Sequence, residues 1–400
     1  MSNSSLPTGQ TYAGQEKKSR KRGVLFIAAG LLVAYAIVLT IIAGSGPPLS
    51  KPSRLNPMTA APEIVGVYHL HSRFSDGRGE VNTVVAAARQ NHLDFIILTD
   101  HGNPNYACLR SQGFRQGVLV LAGSELSTNR GHLVGIGFTE PKFAFPHKAE
   151  EAGRLIQNLG GMAVIAHPFS KISWTWGNDA EPFHGLELVD ADTMLKKSWP
   201  LELALLPLLI LKPRIFFLWM VKPFPPPYQQ WDRLNRQQPL LYGFFSCDAH
   251  LLYKHLLSLF HLRIPYSGGL PSEFEGARKI VLDALCQGNF YNSLDAAQPA
   301  SGFRFWAEKE GLTFSMGSRV PAEVNQPVFL CLRIPERWPT STYLIRDGEP
   351  LLVSPEKEIR YRVREAGVYR VEVYLRDQRL PRQGVPWIVS NPIFLEAGKS

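Results

Sequence analysis

Four hundred residues, 45% of them hydrophobic and 19% charged, are enough for a full core and predict two or three domains. The net charge of +9 is partly clustered: Lys17, Lys18, Arg20, Lys21 and Arg22 stand against a single Glu16 in residues 1–22, which points to membrane topology rather than a nucleic-acid surface. Four scattered cysteines (Cys108, Cys247, Cys286, Cys331) without a C-x-x-C pair give no support to a zinc-ribbon or thioredoxin-like fold.

After the basic tail, residues 23–44 hold no charge over 22 positions. At about 1.5 Å per residue they reach roughly 33 Å, the thickness of a bilayer core. That is longer than a secretory apolar region, so an uncleaved transmembrane helix is expected. The basic flank predicts a cytoplasmic N-terminus with everything after residue 45 exported, to the periplasm or cell exterior. Proline-rich residues 45–62 read as a linker.

From residue 63 strand-like and helix-like stretches alternate. Strands are expected at 64–69, 95–98, 118–122, 133–138, 162–165, 186–189 and 240–246. Helices are expected at 81–90, 149–159 and 272–287. Repeated β-then-α units predict an α/β domain with a parallel sheet or barrel over 63–298. Residues 300–397 change to short alternating stretches, such as V-F-L-C-L-R-I and V-Y-R-V-E-V-Y-L-R, and predict an antiparallel β-sandwich without a catalytic constellation.

Metal-competent side chains sit just past the ends of the apolar strands, where barrels carry their active sites. His69 and His71 end the first strand two residues apart, and strand alternation would aim both imidazoles the same way. Asp76 follows in a Ser-Asp-Gly turn. Asp100 and His101 follow F-I-I-L-T, Glu125 follows L-A-G-S, and His132 precedes L-V-G-I-G-F. His167 follows A-V-I-A, while Asp248 and His250 follow G-F-F-S-C. Asp100 is placed to orient a neighbour of the site. Arg78, Arg130 and Lys171 adjoin these motifs and could bind an anion, although an ordinary surface charge is the preferred reading. The remaining histidines, His92, His147, His184, His255 and His261, are read as structural or surface residues.

The blocks H-L-H with S-D-G, L-T-D-H, G-S-E with G-H-L, A-H-P and D-A-H resemble, in order and strand context, the PHP (polymerase and histidinol phosphatase) family. The resemblance implies a distorted (β/α)7 TIM-like barrel holding two or three divalent ions, Zn²⁺, Mn²⁺ or Fe²⁺. Carried over by position, His69, His71, Glu125 and Asp248 would hold one ion. Glu125, His132 and His167 would hold a second, and Asp76, His101 and His250 a third. Such ions suit imidazole and carboxylate ligands and would supply a metal-bound hydroxide as nucleophile, with His69, His71, Glu125, His167 and Asp248 as the catalytic set. The closing Gly367–Arg370 and Trp387–Pro392 blocks resemble the small sandwich appended to some bacterial members.

The expected function is therefore a membrane-anchored metal-dependent hydrolase, a phosphoesterase acting on a small or polymer-linked substrate, with no nucleic-acid partner. Hydrolysis of a carboxylic or carbamate ester on the same site is the alternative, and a non-catalytic metal-containing surface protein is the third reading. The apolar insert at 199–223 is not expected to cross the membrane. Lys212-Pro213-Arg214 splits it, and one crossing would separate Asp248 and His250 from His69 and His71. Its helices are expected either to pack on the domain or to lie in the lipid interface.

Overall fold

The uncharged N-terminal stretch forms most of helix α1 (Gln10–Gly44), in a computed structural model that describes residues 10–44, 62–177, 182–237, 240–322, 326–376 and 383–397. Val24–Gly44 has a mean hydropathy of 2.7 and is long enough to span a membrane, a test that a signal sequence also passes. The first nine residues of the tail and the linker at 45–61 lie outside the described residues.

The strands that follow are β1 (Glu63–Leu70), β2 (Phe95–Leu98), the hairpin β3 (Gly113–Arg115) and β4 (Val118–Thr128), then β5 (Gly131–Ile136), β6 (Met162–Ile165), β7 (Gly185–Asp190) and β8 (Tyr242–Ser246). They lie in the order β1-β2-β4-β5-β6-β7-β8, with β3 on β4. The expectation of parallel pairing holds for β1–β2, β2–β4, β6–β7 and β7–β8, whereas β4–β5 and β5–β6 are antiparallel. The reason at β4–β5 is loop length. Only Asn129 and Arg130 separate the strands, too few for the crossover that a parallel partner requires. Past the last strand, Leu70 and Ala249 form a parallel bridge, so the end of β8 returns to β1.

Helices α2 (Val81–Gln90), α3 (Tyr106–Leu109) and α4 (Ala149–Asn158) pack against these strands. In α2 the buried positions Val81, Val84, Val85 and Ala88 recur at i, i+3, i+4 and i+7, and in α4 the buried set is Ala149, Ala152, Gly153 and Ile156. Between β7 and β8 run α5 (Ala191–Lys196), α6 (Trp199–Leu211), α7 (Pro213–Met220) and α8 (Pro226–Gln237). The apolar insert is thus two helices broken at Lys212-Pro213. They behave differently: α7 buries Ile215, Phe216, Phe217, Leu218 and Met220, while α6 leaves much of its surface exposed. After β8 come α9 (Tyr253–Leu256), β9 (Phe260–Pro265), α10 (Phe274–Cys286) and β10 (Tyr291–Leu294).

The C-terminal strands are β11 (Arg304–Lys309), β12 (Leu312–Ser315), β13 (Arg319–Ala322), β14 (Val328–Arg333), β15 (Thr340–Arg346), β16 (Glu349–Ser354), β17 (Glu358–Val363), β18 (Gly367–Leu375), β19 (Ile388–Ser390) and β20 (Ile393–Ala397). One sheet, β12-β11-β14-β17, is antiparallel throughout. The other contains one parallel pair, β13–β20, and continues through β19 and β10 to β9 and β1. This second sheet is therefore hydrogen-bonded into the one that carries the site. Buried polar contacts reinforce the junction: Asn391 Oδ1 accepts from Gly243 N at 2.8 Å, and Trp387 Nε1 donates to Gln298 O at 2.7 Å.

Arg370 on β18 is buried. It pairs with Asp232 of α8 through Nε at 2.9 Å and Nη2 at 2.8 Å, and also with Glu372. Replacing it by methionine would leave the largely buried Asp232 without its partner and Glu372 held by Tyr374 Oη alone. We expect Arg370→Met to destabilise the fold by about 3–5 kcal/mol, read as a lower urea midpoint, whereas removing the exposed Arg333–Glu358 pair should change little.

Candidate metal centre

The candidate ligands come from the end of β1 and the turn after it, from just past β2, β6 and β8, from the interior of β4 and from the start of β5. His69 lies within β1, but its backbone is left-handed (φ +65°), and the β1–β2 register shifts between Val67 and Leu70. Simple strand alternation is therefore not what aims His69 and His71 together. A local break in the strand does so, and their rings still approach to 5.2 Å. His167 and Asp248, which follow β6 and β8, also have positive φ, +25° and +43°. Such backbones cost on the order of 1–3 kcal/mol each and persist only where the surroundings impose them. Here that happens at three of the nine predicted ligands.

Glu125, buried inside β4 opposite Val134 of β5, is the hub. Its Oε1 lies 2.7 Å from His132 Nδ1 and 2.9 Å from His167 Nε2. Its Oε2 lies 3.2 Å from His69 Nε2, 3.1 Å from His71 Nε2 and 3.4 Å from His101 Nδ1. Asp248 Oδ1 is 3.4 Å from His69 Nε2 and 3.1 Å from His71 Nε2. On the solvent side, Asp76 meets His71 (3.3 Å), His101 (3.7 Å) and His250 (3.2 Å).

Ligand atoms of three groups fall within 4.8 Å of one another: His69, His71, Glu125 and Asp248; His71, Asp76, His101 and His250; and His101, Glu125 and His132. The first coincides with a predicted set. The second is the predicted Asp76, His101 and His250 set with His71 added. In the third, His101 stands beside Glu125 and His132, and His167 joins through its contact with Glu125 Oε1. All nine predicted side chains are thus brought together, and none is left outside. The five other histidines take no part in these groups.

The donor set fits a divalent cation. His71 Nε2 and Asp248 Oδ1 are buried and face each other, yet neither makes a hydrogen bond. Buried ligand atoms that face each other at 3.1 Å and lack a hydrogen-bond partner match what a cation would satisfy. Three carboxylates and six imidazoles supply oxygen and nitrogen ligands suited to Zn²⁺, Mn²⁺ or Fe²⁺.

The electrostatics agree. Burial pulls the His69 pKa down, but Glu187, Glu125 and Asp248 outweigh it and hold it well above the usual value. Burial likewise opposes His71, whose contacts with Asp248, Asp76 and Glu125 win. His167 is pushed up to about 9, burial being overcome by Glu125. Burial raises Glu125 and Asp248, but the histidines around them hold both well below the carboxylate range. The same carboxylates that favour protons on these histidines would favour a cation among them.

The sign for His167 follows. Its folded pKa lies above the free value, so its contribution to metal-free stability is complete below about pH 6.5 and is lost as pH rises through about 9. Binding a cation displaces the same proton. Titration calorimetry in buffers of different protonation enthalpy should therefore show proton release at pH 7 that fades by about pH 10.

Other groups set the ligands in place. Glu187, inside β7, is buried. Its Oε1 accepts from His69 Nδ1 at 2.6 Å, freeing Nε2 for the site, and its Oε2 accepts from His167 N at 2.7 Å. Sequence reasoning missed it; the signal was an acid enclosed in the apolar run G-L-E-L-V-D. Asp100 orients the site as expected, accepting from Ser72 N and Oγ (both 2.8 Å) and from Ser75 Oγ (2.7 Å). Gly77 lets the Asp76 turn close on the site, because a Cβ there would lie 2.4 Å from the His71 carbonyl. Arg130 is not a surface charge: it is buried, paired with Glu150, and donates to Thr175 O at 2.7 Å. All four cysteines are free.

No family model matches the chain. An uncharacterized protein of Methanocaldococcus jannaschii is 28% identical over 109 residues, or 26% of this chain, and the match spans about three-fifths (62%) of that relative's length. Among solved structures the chain is similar to a two-domain protein of Bacteroides vulgatus containing a predicted PHP-like metal-dependent phosphoesterase. That match has 17% identity and a TM-score of 0.41, covering 82% of this chain and 95% of the other. It is also similar to an amidohydrolase of Chromobacterium violaceum with bound sulfate and no metal, at 17% identity and a TM-score of 0.31, covering 48% and 89%. What the site can do is argued below from its own side chains.

Proposed function

We propose that this chain is a metal-dependent hydrolase of the PHP type, acting on a phosphoester from a membrane-anchored position. The observation that carries this reading is Glu125, whose two oxygens face two different histidine sets, as a carboxylate shared between neighbouring cations would. His69, His71, Glu125 and Asp248 would hold one ion, Glu125, His132 and His167 a second, and Asp76, His101 and His250 a third. Bound divalent cations would acidify a water and polarise the phosphoryl group. The chain itself supplies orientation. Glu187 fixes the tautomer of His69, Asp100 holds the loop behind His71 and Asp76, and burial of Glu125 keeps bulk water from the deep side.

Strands β1, β2 and β4–β8, returned on themselves at Leu70–Ala249, support a distorted seven-stranded barrel with the cluster at its C-terminal mouth. The graded exposure also favours catalysis over a closed structural site, with His69 and His71 buried and Asp76, His101 and His250 reaching solvent. In this reading α1 is the anchor, its N-terminus is cytoplasmic, and the catalytic domain faces outward.

The test is the full chain in detergent, stripped with chelator and reloaded with Mn²⁺, Zn²⁺ or Fe²⁺, then offered nitrophenyl phosphate, bis-nitrophenyl phosphate and nitrophenyl acetate. Metal-dependent phosphoester cleavage is expected. Cleavage of the acetate alone would move the reaction to acyl esters, and tight metal binding without turnover would leave a binding protein.

A further inference from the structure

Helix α6 contacts α1 inside the stretch that is long enough to span a bilayer. Tyr35 Oη donates to Ala204 O at 2.7 Å. Tyr35 lies nine residues before Gly44, roughly 13 Å along the helix axis. An element that touches Tyr35 is therefore below the surface of any membrane α1 crosses. Helix α6 also has the surface for that position. Leu203, Leu206, Ile210 and Leu211 are 63%, 51%, 85% and 71% exposed, while Leu205 and Leu208 are buried on the protein side. Its 13 residues are too few to cross. Its one charged residue, Glu202, lies in the first turn and is half-buried.

The start of α6 is tied to the metal centre. Helix α5 begins directly after Asp190 at the end of β7, and Lys197, two residues before α6, donates through Nζ to Phe169 O at 2.8 Å, two residues past His167. Between them is a narrow, largely apolar cleft of about 30 Å³, open to solvent on one side and bounded by His167, Phe169, Asp190, Lys197, Lys222 and Phe224. Apolar walls and two lysines beside His167, at the root of a lipid-facing helix, match the chemistry of a phosphate carried on an apolar tail that stays in the lipid.

We propose that α6 is embedded in one leaflet beside the anchor as a non-crossing helix, and that the metal centre takes its phosphoester from the membrane. The substrate half rests on the hydrolase reading above; the embedding does not.

Both halves are testable with the full chain in phosphatidylcholine vesicles. Nitroxide labels at Leu206→Cys and Ile210→Cys, with Leu312→Cys on β12 as control and Cys286→Ser as background, report oxygen against nickel-chelate accessibility. Positions 206 and 210 should favour oxygen several-fold and position 312 the chelate. Equal chelate access at all three would overturn the embedding. For the substrate, the Leu206→Glu, Ile210→Glu double variant should lose at least about tenfold on vesicle-borne phosphatidic acid, with less than a twofold change on soluble nitrophenyl phosphate. Equal effects on both substrates, or none on either, would overturn membrane delivery. Absence of turnover by the unmodified chain on both would remove the hydrolase reading and with it the substrate half, while the labels still decide the embedding.

Discussion

Glu125→Gln is expected to abolish turnover, by about a thousandfold or more, or roughly 4 kcal/mol of barrier. It should also lower the metal content by at least one ion per chain. Gln keeps the volume of Glu, so packing at this buried position is preserved. What is lost is the negative charge that five imidazoles face, across two oxygens serving different sets. A neutral amide presents one oxygen and one N–H₂, so it can ligate on one side only and repels a cation on the other. Metal analysis of the purified variant, with circular dichroism to confirm folding, checks this. Unchanged metal content with lost activity would mean that Glu125 acts in some way other than bridging.

Glu187→Gln should have the next largest effect, a loss of about 10–100-fold in metal affinity, without removing a ligand. Glu187 Oε1 fixes His69 with Nδ1 protonated, and Oε2 receives the His167 backbone N–H, so one carboxylate positions two ligands. Its charge also raises the basicity of His69. The amide can keep one of these contacts but not the charge. Competition with a chelating dye gives the affinity. Excess metal should restore much of the activity of Glu187→Gln and little of that of Glu125→Gln, which separates a positioning residue from a ligand.

The ligands were legible because chemistry and position coincided. Histidines and carboxylates directly after short apolar runs are expensive to place there without a use, and the pattern occurs five times along the chain. Helix α2 and strands β2 and β6 also matched their expected bounds, since their apolar spacing is decided by burial alone. Glu187 was hidden because one acid within a strand reads as ordinary alternation until its partners are seen. The antiparallel β4–β5 pair was overlooked because the strand extends to Thr128, past its apolar segment, and only the hairpin fixes its partner. The left-handed backbones at His69, His167 and Asp248 carry no sequence signal, being imposed by contacts from distant segments. The different fates of α6 and α7 were equally invisible. Both are apolar, and only the fold decides which of them it covers.

Anomalous diffraction from crystals of the chain soaked in Mn²⁺ addresses the cation cluster most directly. The expected result is two or three peaks, one of them at about 2.0–2.3 Å from His69 Nε2, His71 Nε2, a Glu125 oxygen and an Asp248 oxygen. Manganese bound only elsewhere, with no peak among these four atoms, would contradict it.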